Sequence, residues 1–215
     1  KGFKRAKPTE YLIENSPFEW LREYKPNEIK RKKDESDKDY LNRLQLIKEK
    51  QDYFISGFIE PYEEGKWHRV SDDIIRRDLI VIDYDDIDTD LNTFKECVKN
   101  KLPNTALLFY PSLRYTDNKP RMRVVIEPSR PLVKYEYEII GLEIADKIGL
   151  PYDSSFITWT QLQGLPVITD LNEHQPLEVI KGDKYPIPKN IEPPIKKNKA
   201  PTIRGFNDEV TYISK

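Results

Sequence analysis

One cysteine (Cys97), one methionine, two histidines and eight glycines are all that 215 residues supply of those types. A lone cysteine excludes an internal disulfide and leaves a Cys-based zinc site without ligands. A reducing, cytoplasmic setting is the expected one. Nowhere do about 18 apolar residues follow one another, so no segment reads as a transmembrane helix and no membrane partner is expected. The opening KGFKRAKPTEYLIENSPFEW has no apolar stretch of the signal-peptide kind. It also lacks an initiating Met, as expected of a piece of a longer chain. Hydrophobic residues are scarce at 37% and charged residues plentiful at 34%, where typical domains carry roughly 45–50% and about 25%. That composition fits one large domain or two small ones with a modest core and much solvated surface.

The charges present are unevenly placed. Residues 1–50 carry a net +4, residues 51–182 a net −8 and residues 183–215 a net +3. An acidic middle between basic ends suits a cation-binding site beside regions that tolerate polyanions. An ordinary acidic domain with solvated Lys-rich ends accounts for the same numbers.

Along the chain, residues 9–52 read as helical and polar. Ser16-Pro17 starts a helix bearing Phe18, Leu21 and Tyr24, and a second helix over 38–52 carries Tyr40, Leu41, Leu44 and Ile47 on one stripe. The charge-dense KPNEIKRKKDESDKD between them is a loop or a polar helix end. From Phe54 the pattern turns to strands, with a turn near 63–66 around Gly65. LIVIDYDDI (79–87) is a buried strand, and Asp88 or Thr89 caps a helix carrying Leu91, Phe94 and Val98. ALLFY (106–110) and RMRVVIE (121–127) follow as strands, then a helix over 135–148 ended by Gly149, then the strand LEVIK (177–181). Strand–helix–strand–strand–helix–strand is the α+β order of a ferredoxin-like or RRM-like mixed sheet with helices. The expected organisation is a helical, charged region over 1–53, a core over 54–182, and a Pro/Lys-rich linker over 183–215 leading to a further module.

Three stretches carry chemistry. In IDYDD, positions i and i+2 share a strand face, so Asp83 and Asp85 project together with no countercharge in the apolar LIVI before them. Such a pair keeps one member protonated, binds a divalent ion, meets Arg or Lys, or simply marks the strand end. In Ser112-Leu-Arg114-Tyr115 through Lys119, Arg121 and Arg123, the last two arginines share a strand face. They either fork around triphosphate oxygens or pair with Asp83 and Asp85 across strands. In LPYDSSFITWTQLQGLP, Asp153 is a third carboxylate, Gln161 and Gln163 offer hydrogen bonds, and Trp159 either stacks on a base or fills the core.

Taken in order, VIDYDDI, SLRYTDNKPRMRVVIEPSRPL and GLPYDSSFITWTQLQGLP resemble the archaeo-eukaryotic-type primase (primase–polymerase) domain at the N-terminus of phage, plasmid and pathogenicity-island replication proteins. The resemblance covers about residues 54–182. It implies a primase-type catalytic core in which Asp83, Asp85 and Asp153 hold Mg²⁺ or Mn²⁺. It also implies that Ser112, Arg114, Lys119, Arg121 and Arg123 face an incoming NTP or dNTP. Tyr115, Trp159, Gln161 and Gln163 would contact a single-stranded DNA template, and a helicase module would follow the linker. One departure stands out: the family's second motif usually holds a histidine, where this chain reads Ser112-Leu113-Arg114-Tyr115. The expected function is therefore template-dependent nucleotidyl transfer in DNA replication. Its alternative is a catalytically degenerate domain that binds single-stranded DNA and loads a helicase. A phosphohydrolase with Asp83 as nucleophile fits less well, because Ile87 stands where that chemistry wants Thr or Val.

Overall fold

The computed structural model describes residues 16–194. Helix α1 (Pro17–Glu23) starts where the proline predicts, with Ser16 Oγ accepting the Glu19 N–H. Helix α2 (Asp37–Ile47) is capped by Ser36 and continues as a 3₁₀ turn over Lys48–Lys50. The charged stretch between them forms a short strand, Asn27–Ile29, because it pairs in parallel with Val167–Thr169. That partner lies some 140 residues away, and local sequence gives no sign of it.

The main sheet has four strands: β1 (Ile80–Tyr84), β2 (Leu107–Pro111), β3 (Met122–Ile126) and β4 (Glu178–Ile180). Helix α3 (Leu91–Lys101) joins β1 to β2, and helix α4 (Lys134–Ile148) follows β3. The α+β class and the βαββαβ order are as expected, whereas the sheet is antiparallel throughout and not mixed. The strands lie in the order β4–β2–β3–β1, each antiparallel to its neighbour. The carboxylate strand β1 is thus at one edge, and its Asp83 carbonyl accepts the Asp153 N–H at 2.9 Å.

Strand alternation divides the core in two. Ile80, Ile82, Tyr84, Phe109, Met122, Val124 and Ile126 pack with Phe94 and Val98 of α3 and Tyr137, Ile140 and Ile144 of α4. On the opposite face Val81, Leu108, Tyr110 and Val125 pack with Phe18 and Leu21 of α1. Gly149 ends α4 at φ +74°, a conformation that favours glycine.

Short strand pairs complete the unit. Tyr53–Phe54 pairs antiparallel with Gln163–Gly164, and Pro61–Glu63 forms a hairpin with Lys66–Trp67 around Gly65. Phe58–Ile59 pairs with Ile74–Arg76.

Two expected boundaries move. The α3 cap is Asp90, whose Oδ1 accepts the Thr93 N–H at 2.9 Å, and not Asp88 or Thr89. The linker does not begin at 183: Asp183 and Tyr185 bridge to Thr105 and Pro128, and Ile187 is buried in the core. Backbone hydrogen bonds of Asp183 with Asn104 and Ala106, and of Tyr185 with Glu127 and Ser129, hold this stretch against the domain, and Pro186 and Pro188 favour its extended form. Residues 195–215, with the start of any further module, lie outside the described residues, as do residues 1–15. Among the described residues no helix is long and apolar enough to cross a membrane.

Candidate active site

The face that α1 covers is apolar at one end only. Going along β1 on that face, Val81 is followed by Asp83 and then Asp85. Along β3 in the opposite direction, Val125 is followed by Arg123 and then Arg121. Asp83 sits directly opposite Arg123, and Tyr110 of β2 lies opposite Arg123 on its other side. Helix α1 ends before this polar half, which is left open as a cleft.

Four chain segments line that cleft: Lys48, Gln51 and Tyr53 after α2; Asp83 and Asp85; Ser112, Leu113, Arg114 and Arg123; and Asp153 with Gln161, Leu162, Gly164, Leu165 and Val167. The structure therefore brings together the three carboxylates, Ser112, Arg114, Arg123 and Gln161 from separate parts of the sequence. Lys48, Gln51 and Tyr53 are residues that sequence reasoning missed. The net positive charge of residues 1–50 bears on Lys48 alone and singled out no residue, and nothing in the sequence pointed to Gln51 or Tyr53.

Both strand carboxylates meet arginine. Arg123 Nε lies 2.6 Å from Asp83 Oδ1, and Arg121 Nη1 lies 2.7 Å from Asp85 Oδ2. The cross-strand pairing that the sequence left open is thus present. The Asp83–Arg123 contact is an ion pair by distance, yet neither Asp83 Oδ1 nor Arg123 Nε completes a hydrogen bond. The N–H is not aimed at that oxygen. Burial pushes the Asp83 carboxyl above the ordinary carboxylate range against the pull of Arg123, and Asp85 and Asp153 add to the rise. Arg123 Nη1 reaches the Gly164 carbonyl at 3.4 Å, and its guanidinium lies 5.7 Å from the Tyr110 ring centroid. A side chain at Gly164 would place its Cβ 3.4 Å from that same nitrogen. Asp153 caps the 3₁₀ turn Ser154–Ile157, its Oδ1 accepting the Ser155 N–H at 2.9 Å.

Among the described residues no three His, Cys, Asp or Glu side chains converge as a ready-made metal cage. The donor set nevertheless fits a hard divalent cation. Its members are carboxylate oxygens lining one cleft, and a buried Asp83 oxygen there lacks a hydrogen-bond donor. A cation would compete with Arg121 and Arg123 for these oxygens.

Several expected contact residues are placed elsewhere. Tyr115 is 1% exposed in the main core, its hydroxyl donating to Asp117 Oδ1 at 2.9 Å, so it offers no face to a base. Trp159 is also buried: its Nε1 donates to the Ile74 carbonyl at 3.1 Å and its ring meets Tyr137 edge-on at 5.7 Å. An indole with both its apolar body and its one donor satisfied belongs to the core. Gln163 is 3% exposed on the strand beside Phe54 and does not line the cleft. Lys119 is exposed and pairs with Asp86 at 3.1 Å, and Arg121 is committed to Asp85, so neither lines the cleft.

Comparison with known proteins places these features in context. The family described as the VapE N-terminal domain matches residues 11–163. Among solved structures, the chain is similar to the AEP domain of the Cyanophage S-2L primase-polymerase, at 11% identity and a TM-score of 0.42. The match covers 63% of this chain and 65% of that one, just under two thirds of the neighbour. No curated protein matches.

Proposed function

Because the chain belongs to the VapE N-terminal domain family, we propose that it acts in DNA replication as a primase–polymerase domain. The proposed reaction is template-dependent nucleotidyl transfer on single-stranded DNA with NTP or dNTP. The observation that carries this reading is the cleft. Asp83, Asp85 and Asp153, drawn from two distant segments, share it with Ser112, Arg114 and Arg123.

In the reaction a 3′-oxygen attacks the α-phosphorus of the incoming nucleotide, and pyrophosphate leaves in line. Asp83, Asp85 and Asp153 would hold Mg²⁺ or Mn²⁺, which when bound lowers the pKa of the attacking hydroxyl and neutralises charge on the phosphates. The burial that disfavours a bare Asp83 carboxylate favours one with a cation beside it. Arg114 and Ser112 face the triphosphate from the β2–β3 loop, with Arg123 behind them. Beside the cleft on the same face, Val81, Leu108 and Val125 pack under α1 and anchor the strands that carry the polar row. Gln161 offers hydrogen bonds towards base or sugar. Lys48, Gln51 and Tyr53, after α2, supply one cleft wall, and a helicase module after the linker would present the template strand.

The test is primer synthesis and extension on single-stranded DNA with separate ribo- and deoxynucleotide pools. We expect metal-dependent incorporation by the full chain and a fall of about 10³-fold or more in Asp83→Asn/Asp85→Asn. Incorporation that persists in that variant contradicts the assignment.

A second reading has its own support: both strand carboxylates are occupied by arginine, and the second motif has no histidine. On that reading the domain binds single-stranded DNA and loads a helicase without chemistry. DNA binding would then persist and fall steeply with salt, while incorporation stays at background with both Mg²⁺ and Mn²⁺.

A further inference from the structure

Resting on the nucleotidyl-transfer reading, we infer that Lys48 is a ligand of the incoming nucleotide's triphosphate and forms, with Arg114, the cationic wall of the cleft. The other cations at this end of the sheet have carboxylate partners: Arg123 has Asp83, Arg121 has Asp85 and Lys119 has Asp86. Lys48 and Arg114 line the same cleft, and the ion pairs formed there by Asp83, Asp85 and Asp86 go to Arg123, Arg121 and Lys119 and to neither of them. They are therefore the cationic side chains of the cleft that no carboxylate holds in a direct ion pair, although Asp83 and Asp85 are near enough to act on Lys48 through space.

Their placement is built rather than incidental. The Lys48 carbonyl accepts from the Tyr53 hydroxyl at 2.8 Å and from the Gln51 N–H at 3.2 Å. The Gln51 side-chain amide donates to the Ile47 carbonyl at 3.2 Å. These bonds satisfy backbone carbonyls at the end of α2 and fix where the Lys48 side chain begins, so its ammonium is not needed as a cap. Tyr53 in turn sits on the short strand paired with Gly164, which receives Arg123. The Lys48 side chain is half-buried. Burial, with the nearby charges of Arg114 and Arg123, holds its pKa below the ordinary lysine value. Two like charges crowded in a concave site are relieved by a compact polyanion. A triphosphate matches that shape, whereas a nucleic-acid backbone tracks along cations spread over a groove.

The experiment uses the full chain in metal-free, low-salt buffer and measures the affinity for inorganic tripolyphosphate and, separately, for a single-stranded oligonucleotide. Lys48→Met keeps the apolar stem and removes the charge. We expect it to weaken tripolyphosphate binding about tenfold, the worth of one charge-assisted contact, and to change oligonucleotide affinity much less. Lys48→Arg, which keeps the charge, should retain most of the affinity. Unchanged tripolyphosphate binding in Lys48→Met overturns the inference. So does a loss confined to the oligonucleotide, or an equal loss in Lys48→Arg, which would mark a packing role. Absent nucleotide incorporation by the unmodified chain counts against the transferase reading alone, since the tripolyphosphate measurement needs neither metal nor turnover.

Discussion

The two faces of the four-stranded sheet are built from the same strands and meet different ends. On one face, every inward residue from Ile80 to Tyr84 and from Met122 to Ile126 is apolar, and α3 and α4 cover it fully. On the other, α1 covers Val81, Leu108 and Val125, and then the row turns into Asp83, Arg123, Asp85 and Arg121. A helix of seven residues covers the apolar part of that face with help from Phe54 and Leu165, and the short segments around Tyr53 and Gly164 wall the polar part. The contrast shows how a strand with period-two alternation carries a core and a site at once: one face is given wholly to packing, and the other is left half open. It also explains why Tyr115 and Trp159 are unavailable for stacking, since both belong to the closed face's core.

Substitutions on the two faces should differ in kind. On the closed face, Phe109→Ala removes a fully buried ring and is expected to destabilise the fold by about 3–5 kcal/mol, measured by denaturant unfolding. A loss below about 1 kcal/mol would mean that this face is loosely packed. On the open face, Asp83→Ala strands the Arg123 charge, with side chains only 11% and 14% exposed, and should cost about 3–5 kcal/mol. Replacing both partners, as Asp83→Leu/Arg123→Met, should recover most of that stability while leaving no nucleotide incorporation. If the double variant is as unstable as the single one, the ion pair is a structural necessity and the contrast between the faces fails.

The smallest effect lies outside both faces. Arg43 grips Glu35 through two hydrogen bonds, 2.8 and 2.7 Å long, and holds its carboxyl down at about 2. A depressed carboxyl contributes stability above its unfolded pKa of roughly 4.3, and that contribution is lost as pH falls towards the folded value. The difference in melting temperature between the unmodified chain and Glu35→Gln should therefore shrink as pH is lowered from 6 towards 2. A constant difference would assign the pair no role in this part of the fold.

Much of this was legible in the sequence. The apolar run before Asp83, the alternating RMRVVIE and the helix ended by Gly149 fix their elements locally, because period and capping are local properties. The grouping of Asp83, Asp85 and Asp153 followed from a family resemblance, and all three line one cleft. What could not be read depends on partners distant in the chain. Asn27–Ile29 is a strand only because of Val167–Thr169, and Lys48 reaches the cleft only because Tyr53–Phe54 pairs with Gln163–Gly164. Trp159 and Tyr115 were ambiguous for another reason: an aromatic with a polar atom reads alike in a core and on a binding surface until its donor is seen to be satisfied.

The central claim is that the open half of the sheet face accepts a divalent cation in competition with its own arginines. Titrating Mn²⁺ into the full chain and counting bound ions by electron paramagnetic resonance tests it most directly. The account predicts Mn²⁺ bound by the unmodified chain and lost in Asp83→Asn/Asp85→Asn. No Mn²⁺ binding to the unmodified chain, or equal binding in both, would contradict it.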